Sequence, residues 1–594
     1  MKWYNFLSFL VAAGMFSACN DDLGNSGNEN GDTSSSGSGY VKIAINLPTT
    51  SGSSSRANDN FDGGLPAEYK VNDLILALFY GTDETSATCK WAKNLTNSLD
   101  FSTPGTATDN VTTRSDYMIS DVPKPGTDQN VYALAIVNNS GYFGVSGADL
   151  TYGVAGTLAK FTGKLTDLFA NASVTDLSKI ASTDNGGNFM MTNAPISDKV
   201  TVTSGTAGWD PQITTLVKLD VYDDEPSAES ATPNPIYVER VAAKVNVKIN
   251  SSNNILTVGD DGTDPGATVE FGGWVLQNTN KKNYLVRNVV GTGTPAAWNE
   301  WIGYFNTGAT DGGYNRFVGK VVGPYRTYWG IDPNYNTVLA DEALVENFNI
   351  WTNVSASIPW INPANNGTQL GSEPVAYCAE NTTAAKVMQH DQLTGVLLKA
   401  TFIPSGSQKG DNFFICNDVS SIYKEAQIIQ AFTVALHNAG LGLASGETLK
   451  LKDGAKAATI KDVAGLQAVF EITGGATGLS EERAEAILAE YNPIKFYEGG
   501  VTYYYSSLIK HFGDEYTPKG KEIVSLDDYT DNDHLGRWGV VRNNWYELVI
   551  NSVDGPGEPE IPDLPKDPAD KEHRYINCTI NILSWAKRSQ GVDL

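Results

Sequence analysis

The side chains of this chain that are set up for covalent chemistry are few, and they lie near its N-terminus. Arg56 stands in "SSSRANDNFDGG", a Ser/Gly/Asn-rich run, and Lys42 is the only basic residue between it and Lys2. Such a run has little apolar surface to bury, so its peptide bonds stay open to a protease. An isolated arginine there reads as a processing site, with Arg56 and Ala57 flanking the scissile bond. Cys19 follows Ser17 and Ala18, at the end of an apolar stretch through Phe6, Leu7, Phe9, Leu10 and Val11. A thiol in that setting can carry a lipid. Enzyme motifs are missing: the sequence has no H-E-x-x-H, no G-x-S-x-G and no Walker A. The histidines at 390, 437, 511, 534 and 573 form no i, i+4 metal pair, and no two cysteines have C-x-x-C spacing. "DDYTDNDH" (527–534) and "DDGTD" (260–264) could hold calcium loosely, but neither follows the EF-hand loop, and both read as solvated turns. "GTGTPA" (291–296) reads as a turn. The expectation is no catalytic residue, no metal and no cofactor.

The elements that carry Cys19 and Arg56 belong to an exported chain. Residues 1–19 read as a signal peptide whose Ser17-Ala18-Cys19 resembles a lipobox, with Cys19 as the lipidated (palmitate-bearing) residue. The apolar stretch is too short for a lasting transmembrane helix. Asp21-Asp22 resembles the acidic patch that directs some lipoproteins to the outer face of the outer membrane. With 594 residues, 41% hydrophobic and 19% charged, the chain is long enough for two or more globular domains. Its formal net charge of −26 excludes nucleic acid as a partner, because phosphate binding needs clustered Lys and Arg. Abundant Gly, Asn, Thr, Ser and Tyr favour strands and turns.

Residues 20–56 read as a propeptide, a flexible tether followed by one strand. In "YVKIAINLP", Val41, Ile43, Ile45 and Leu47 alternate on one face, ended by Pro48. "DLILALFY" and "VYALAIVNN" are further strands, and three/four spacing of Leu158, Phe161, Leu165, Leu168 and Phe169 predicts a helix near 156–170. The acidic, Pro-containing "DDEPSAESATPNP" (223–235) suggests a boundary between an N-terminal β-sandwich domain (57–230) and a C-terminal one (231–554). "IYVERVAAKVNVKIN", "EFGGWVLQNTNKKNYLV", "GVLLKATFIP", "GGVTYYYSSLI" and "NNWYELVIN" supply strands of the latter. A helical insertion is expected at about 420–491. Ile422, Ala426, Ile429 and Val434 would share one face of its first helix. Ala484, Ile487, Leu488 and Tyr491 would share a face of a later one, capped by Ser480. Residues 555–594 comprise a linker with five prolines between 555 and 570, read as stiff and extended, and a final strand.

That final strand repeats the pattern of the first. Ile576, Cys578, Ile580 and Ile582 alternate as Val41, Ile43, Ile45 and Leu47 do. A sandwich that lost its first strand would expose an apolar groove with open hydrogen-bonding edges. The last strand of another molecule could fill it by β-augmentation. The same strand could equally pair within its own domain. The aromatic clusters "PYRTYWG" (324–330) and "FYEGGVTYYYS" (496–506) raise a different possibility, a surface glycan-binding lipoprotein with tandem β-sandwiches that keeps Cys19 attached.

Taken in order, the lipobox, "SRA", "NFMMTN", "VERVAAKV" (238–245), "GGWVLQNTNKKNYL" (272–285), "YCAENTTAAKV" (377–387), "VVRNNWYELVINSV" (540–553) and "ILSWAKRSQGVDL" resemble the fimbrilins of Bacteroidia-type (type V) pili, the FimA/Mfa-like group, and most of all its shaft subunits of short fimbriae. The resemblance implies a mainly β fold of two sandwich domains with transthyretin-like topology. It implies export as an outer-membrane lipoprotein and cleavage between Arg56 and Ala57 by an Arg-specific surface protease. Loss of Cys19 with its lipid, together with the strand bearing Val41, Ile43, Ile45 and Leu47, would follow. The donor strand of Ile576, Cys578, Ile580 and Ile582 from a sister subunit would then take its place, giving a homopolymer that works with accessory tip and anchor fimbrilins in a surface fimbrium concerned with adhesion and virulence.

Overall fold

The computed structural model describes residues 37–48, 65–98, 111–153, 157–169, 176–197, 213–289, 325–326, 329–335, 345–369, 372–417, 421–475, 478–512, 514, 517–571 and 576–583. The chain is mainly β. Its first body is an eight-stranded sheet. Five of the strands are β1 (Ser38–Pro48), β2 (Leu74–Gly81), β3 (Thr88–Asn94), β4 (Val111–Pro123) and β5 (Asn130–Val137). The order across the sheet is β3, β2, β5, Met191–Asn193, Asn234–Arg240, β1, β4, with Val217–Leu219 also paired to β5. β2 and β5 are continuous apolar runs because both their faces are covered. One face joins β1, β4 and Asn234–Arg240 in a shared core. The other packs on Phe143, Leu150, Leu165 and Leu168.

The second body is a sandwich. One sheet runs Val375–Ala379, Ala242–Ile249, Trp545–Val553, Ile576–Leu583, and the other Ile255–Thr257, Thr268–Gln277, Gly395–Ile403, Val501–Leu508. Val245, Val247, Leu548 and Ile550 of the first face Val269, Phe271, Leu398 and Tyr504 of the second in one core. The chain passes between the bodies at Val241. Asn234–Arg240, which lies beyond the acidic break expected to end the first domain, still pairs with Met191–Asn193 and β1.

The helix expected near 156–170 does not form. That stretch holds a two-residue strand, Ala159–Lys160, and a 3₁₀ turn, Leu165–Leu168. Leu165, Leu168 and Phe169 are buried as their spacing suggested, but from a single turn, at whose start the Lys164 N–H donates to the Asp167 carboxylate at 2.7 Å.

The insertion is a mixed α/β body rather than a purely helical one. Helices Glu425–Asn438, Val463–Val469 and Glu481–Tyr491 pack with the sheet Ile422–Lys424, Phe413–Cys416, Ile494–Tyr497, Ala458–Ile460 and with a Thr448–Leu451/Phe470–Thr473 pair. Ser480 caps the last helix by accepting from the Arg483 N–H, and Ala484 and Ile487 are buried, as expected. The first helix is rotated from expectation. Ile428, Phe432, Ala435 and Leu436 are buried, while Val434 is 51% exposed. Ile422 lies before the helix, in a strand, so counting helical phase from it set the face wrongly.

Candidate strand-exchange site

β1 is an internal strand. It runs parallel to Asn234–Arg240 (Ile43 opposite Asn234, Ile45 opposite Ile236) and antiparallel to β4 (Val41 opposite Ile119, Ile43 opposite Tyr117, Ile45 opposite Ser115). Val41, Ile43 and Ile45 are 0% exposed and Leu47 is 1% exposed. All four enter the core shared with Leu76, Leu78, Tyr117, Ile119, Ile236 and Val238. Beneath the leading strand there is thus an apolar trough whose two walls are Asn234–Arg240 and β4.

The outer face of β1 is held as well. Lys42 Nζ donates to the carbonyls of Glu229 (2.6 Å) and Ala231 (3.1 Å), at the C-terminal end of the helix Glu225–Ser230. A cation there satisfies carbonyls that the helix itself cannot. Gly39 lets β1 approach the chain at 221–222, since a Cβ would sit 2.6 Å from Val221 Cγ1, and Tyr40 and Tyr222 exchange backbone hydrogen bonds of 2.8 Å.

Cys19, Arg56 and Ala57 lie outside the described residues. The first described residue after the Arg56 segment is Leu65, and the chain is anchored almost at once. Glu68, in the short helix Pro66–Tyr69, is fully buried between the two bodies. Lys244 Nζ lies 2.9 Å from its Oε1, Tyr377 Oη donates to the same oxygen at 2.6 Å, and Arg240 Nε donates to its backbone carbonyl at 2.8 Å. Burial alone would raise the Glu68 carboxyl. The Lys244 charge and the Tyr377 hydroxyl outweigh it and hold the group below its ordinary range. The Lys244 ammonium sits 3.7 Å from the Trp545 ring centroid, and Trp545 itself reaches into the first body's core. This cluster escaped the sequence reading. Lys244 falls at a position between the alternating Val241, Ala243, Val245 and Val247, where period two gives no sign that it is buried.

The last strand occupies a different kind of position. Ile576–Leu583 lies at the edge of its sheet and pairs with Trp545–Val553 alone among the described strands, with Cys578 opposite Ile550, Ile580 opposite Leu548 and Ile582 opposite Tyr546. The Pro-rich segment before it is extended but packed down. Tyr504 and Tyr497 hydroxyls donate to the carbonyls of Gly555 and Gly557, and Lys495 pairs with Glu558 at 3.0 Å. At its end, Asp570 takes Arg537 Nε and Nη2 at 2.7 Å each, with Trp538 Nε1 and Tyr529 Oη at 2.9 Å. Burial raises the Asp570 carboxyl, but the bidentate Arg537 contact prevails and brings it down to about 2.

Other candidates find structural roles. Phe496 stacks on Phe414 (4.9 Å) and Tyr497 on Phe413 (4.2 Å), and Tyr504 and Tyr505 are buried, so the 496–506 cluster is largely core. Trp329, of the 324–330 cluster, is buried too. Asp528 accepts from Lys521 and from the N–H groups of Val524 and Ser525, and Asp264 accepts from the Ser405 N–H. Cys89, Cys378 and Cys416 are buried free thiols, each pushed up to about 12 by desolvation. Among the described residues no group of three His, Cys, Asp or Glu could hold a metal.

Residues 495–591 match the family model described as "Major fimbrial subunit protein type IV, Fimbrillin, C-terminal". The match spans Val501–Leu508, Trp545–Val553, the packed Pro-rich segment and the edge strand. The C-terminal part of the chain thus resembles the C-terminal region of fimbrillins, the major subunits of fimbriae. Among solved structures, it is similar to one described as a cell adhesion protein from Parabacteroides distasonis (12% identity, covering 92% of this chain and 98% of that one, TM-score 0.36). It is also similar to the tip fimbrial protein Mfa3 from Porphyromonas gingivalis with C-terminal truncation (11% identity, 92% and 100% covered, TM-score 0.28). A third is a fimbrial assembly protein from Parabacteroides distasonis (12% identity, 44% and 71% covered, TM-score 0.24). No curated protein matches the chain.

Proposed function

We propose that this protein is a fimbrial subunit, of the shaft type, that polymerises by exchanging its first strand for the last strand of a neighbour. The observation that carries the reading is the lodging of β1: an internal strand with four aliphatic side chains in the core, joined to the rest of the chain by the segment that contains Arg56. In this reading the precursor is an outer-membrane lipoprotein acylated on Cys19. An Arg-specific surface protease cuts between Arg56 and Ala57, and β1 departs with the lipid. The strand of Ile576, Cys578, Ile580 and Ile582 from a sister subunit then enters between Asn234–Arg240 and β4. Burying four aliphatic side chains in that trough contributes roughly 6–12 kcal/mol before ordering of the tail is deducted. Two domains that meet near Val241, beyond the 230/231 boundary expected from the sequence, and a donor segment within 555–594 complete the scheme, and tip and anchor fimbrilins would cap the filament. The contact repeats head to tail without closing, which makes a fibre.

The N-terminal residue of protein recovered from the cell surface tests this. Ala57 is expected on filaments. Acylated Cys19 on assembled, surface-exposed protein would refute the reading. A glycan-binding role draws no support from the 496–506 aromatics, because those rings are spent largely on the core.

A further inference from the structure

The two walls of the trough are not equally fastened. Asn234–Arg240 has β1 on one side and Met191–Asn193 on the other. β4 is the outermost strand, and among the described residues its ladder runs to β1 alone. When β1 leaves, one wall loses one of its two ladders and the other loses the only one it has among the described residues.

β4 is nevertheless tethered at one end. Tyr80 Oη, on β2, donates to the Pro123 carbonyl at 2.7 Å, and Val122 is fully buried in the shared core. Between this end and the rest of the strand the register shifts. Ile119 lies opposite Val41 but Val122 lies opposite Gly39, so β4 holds an extra residue, and Asp121 adopts φ +63°. A bulge of this kind interrupts the ladder and bends the strand. Its position divides β4 into an end at Val122–Pro123 that is tied to β2 and a stretch, 115–119, whose backbone ladder among the described residues is with β1, while Tyr117 and Ile119 pack in the shared core.

We propose that β4 is a gate. On departure of β1 the 115–119 stretch swings outward about the bulge at Ser120–Asp121. The incoming strand of a second copy pairs first with Asn234–Arg240, and β4 then closes onto its free edge. This rests on the strand-exchange reading above. A slot between two fixed strands, about 9–10 Å wide, would require both ladders to form together along its whole length. A hinged wall lets them form one after the other. The occupant must bond along both edges, which proline prevents, and 576–583 contains none.

Hydrogen exchange read by mass spectrometry on the full-length chain tests the gate in three states. These are the uncut precursor, the assembled filament, and an Ile580→Pro chain cut after Arg56, whose tail cannot complete an internal strand. In the cut variant the amides of 115–119 are expected to lose protection by ~100-fold or more, those of 236–240 by less than ~10-fold, and the filament restores both. Thr579→Pro gives the same test should Ile580→Pro unsettle the fold, with Ala242–Ile249 as the internal control. Undiminished protection of 115–119 after the 38–48 peptide has gone, or equal loosening of both walls, would overturn the gate and leave strand exchange standing. Retention of the 38–48 peptide in assembled filaments would overturn both.

Discussion

The first and last described strands share a pattern and differ in situation. Each offers four apolar side chains at alternate positions. β1 is bonded on both edges and its side chains are closed off from water, whereas Ile576–Leu583 is bonded on one edge. Period-two alternation reports that one face will be covered. It does not report how many neighbours the backbone will have. The number of neighbours decides which segment can leave. An edge strand gives up one ladder on departure. An internal strand leaves two rows of unpaired N–H and C=O groups, so its removal must be driven by something outside the fold, such as a cut peptide bond. Moving the last strand from its edge into an emptied trough gains a second ladder, roughly four more hydrogen bonds at about 0.5–1.5 kcal/mol each.

That contrast can be broken or sharpened by substitution. The largest effect is expected from Arg56→Ala, which should leave lipidated monomer and abolish filaments on electron micrographs; normal filaments would contradict the role of the cut. Next, Ile45→Ala should cost the precursor about 2–5 kcal/mol in denaturant unfolding through the cavity it opens, yet leave the stability of mature filaments unchanged. An equal loss in both would show that β1 persists. Third, Asp570→Asn should remove an acid-dependent contribution of about 2 kcal/mol. Because the carboxyl is held at about 2, below its usual 3.8, that contribution is complete above about pH 4 and fades as pH falls through 2. Unfolding curves of parent and variant that stay parallel from pH 5 to 2 would dismiss the anchor. The smallest effect, about 1 kcal/mol, is expected from Lys42→Ala, seen in the precursor alone as a slightly lower melting temperature.

Much of this was legible in the sequence where burial is periodic. The alternation of Val41, Ile43, Ile45 and Leu47 gave β1 its face, and Ser480 marked a helix start. What escaped depended on distant partners. Glu68 and Lys244 are far apart in sequence and meet only because the two bodies close on them. The Pro-rich run reads in sequence as a stiff, extended linker, and the groups that pack it down, Tyr497, Tyr504 and Arg537, lie elsewhere in the chain. The stretch near 156–170 had helical spacing without a helix, since its apolar residues reach the core from a short strand and a 3₁₀ turn. For the proposed exchange, both strands were visible in sequence, but β4, the wall that has no other ladder among the described residues, was not.

Cross-linking of filaments grown from mixed ¹⁴N- and ¹⁵N-labelled subunits tests the central claim most directly. Cross-links of mixed isotope between 576–583 and either Asn234–Arg240 or β4, in filaments lacking 38–48, are the result this account predicts. Filaments that retain 38–48, with 576–583 linked only to Trp545–Val553 of the same subunit, would contradict it.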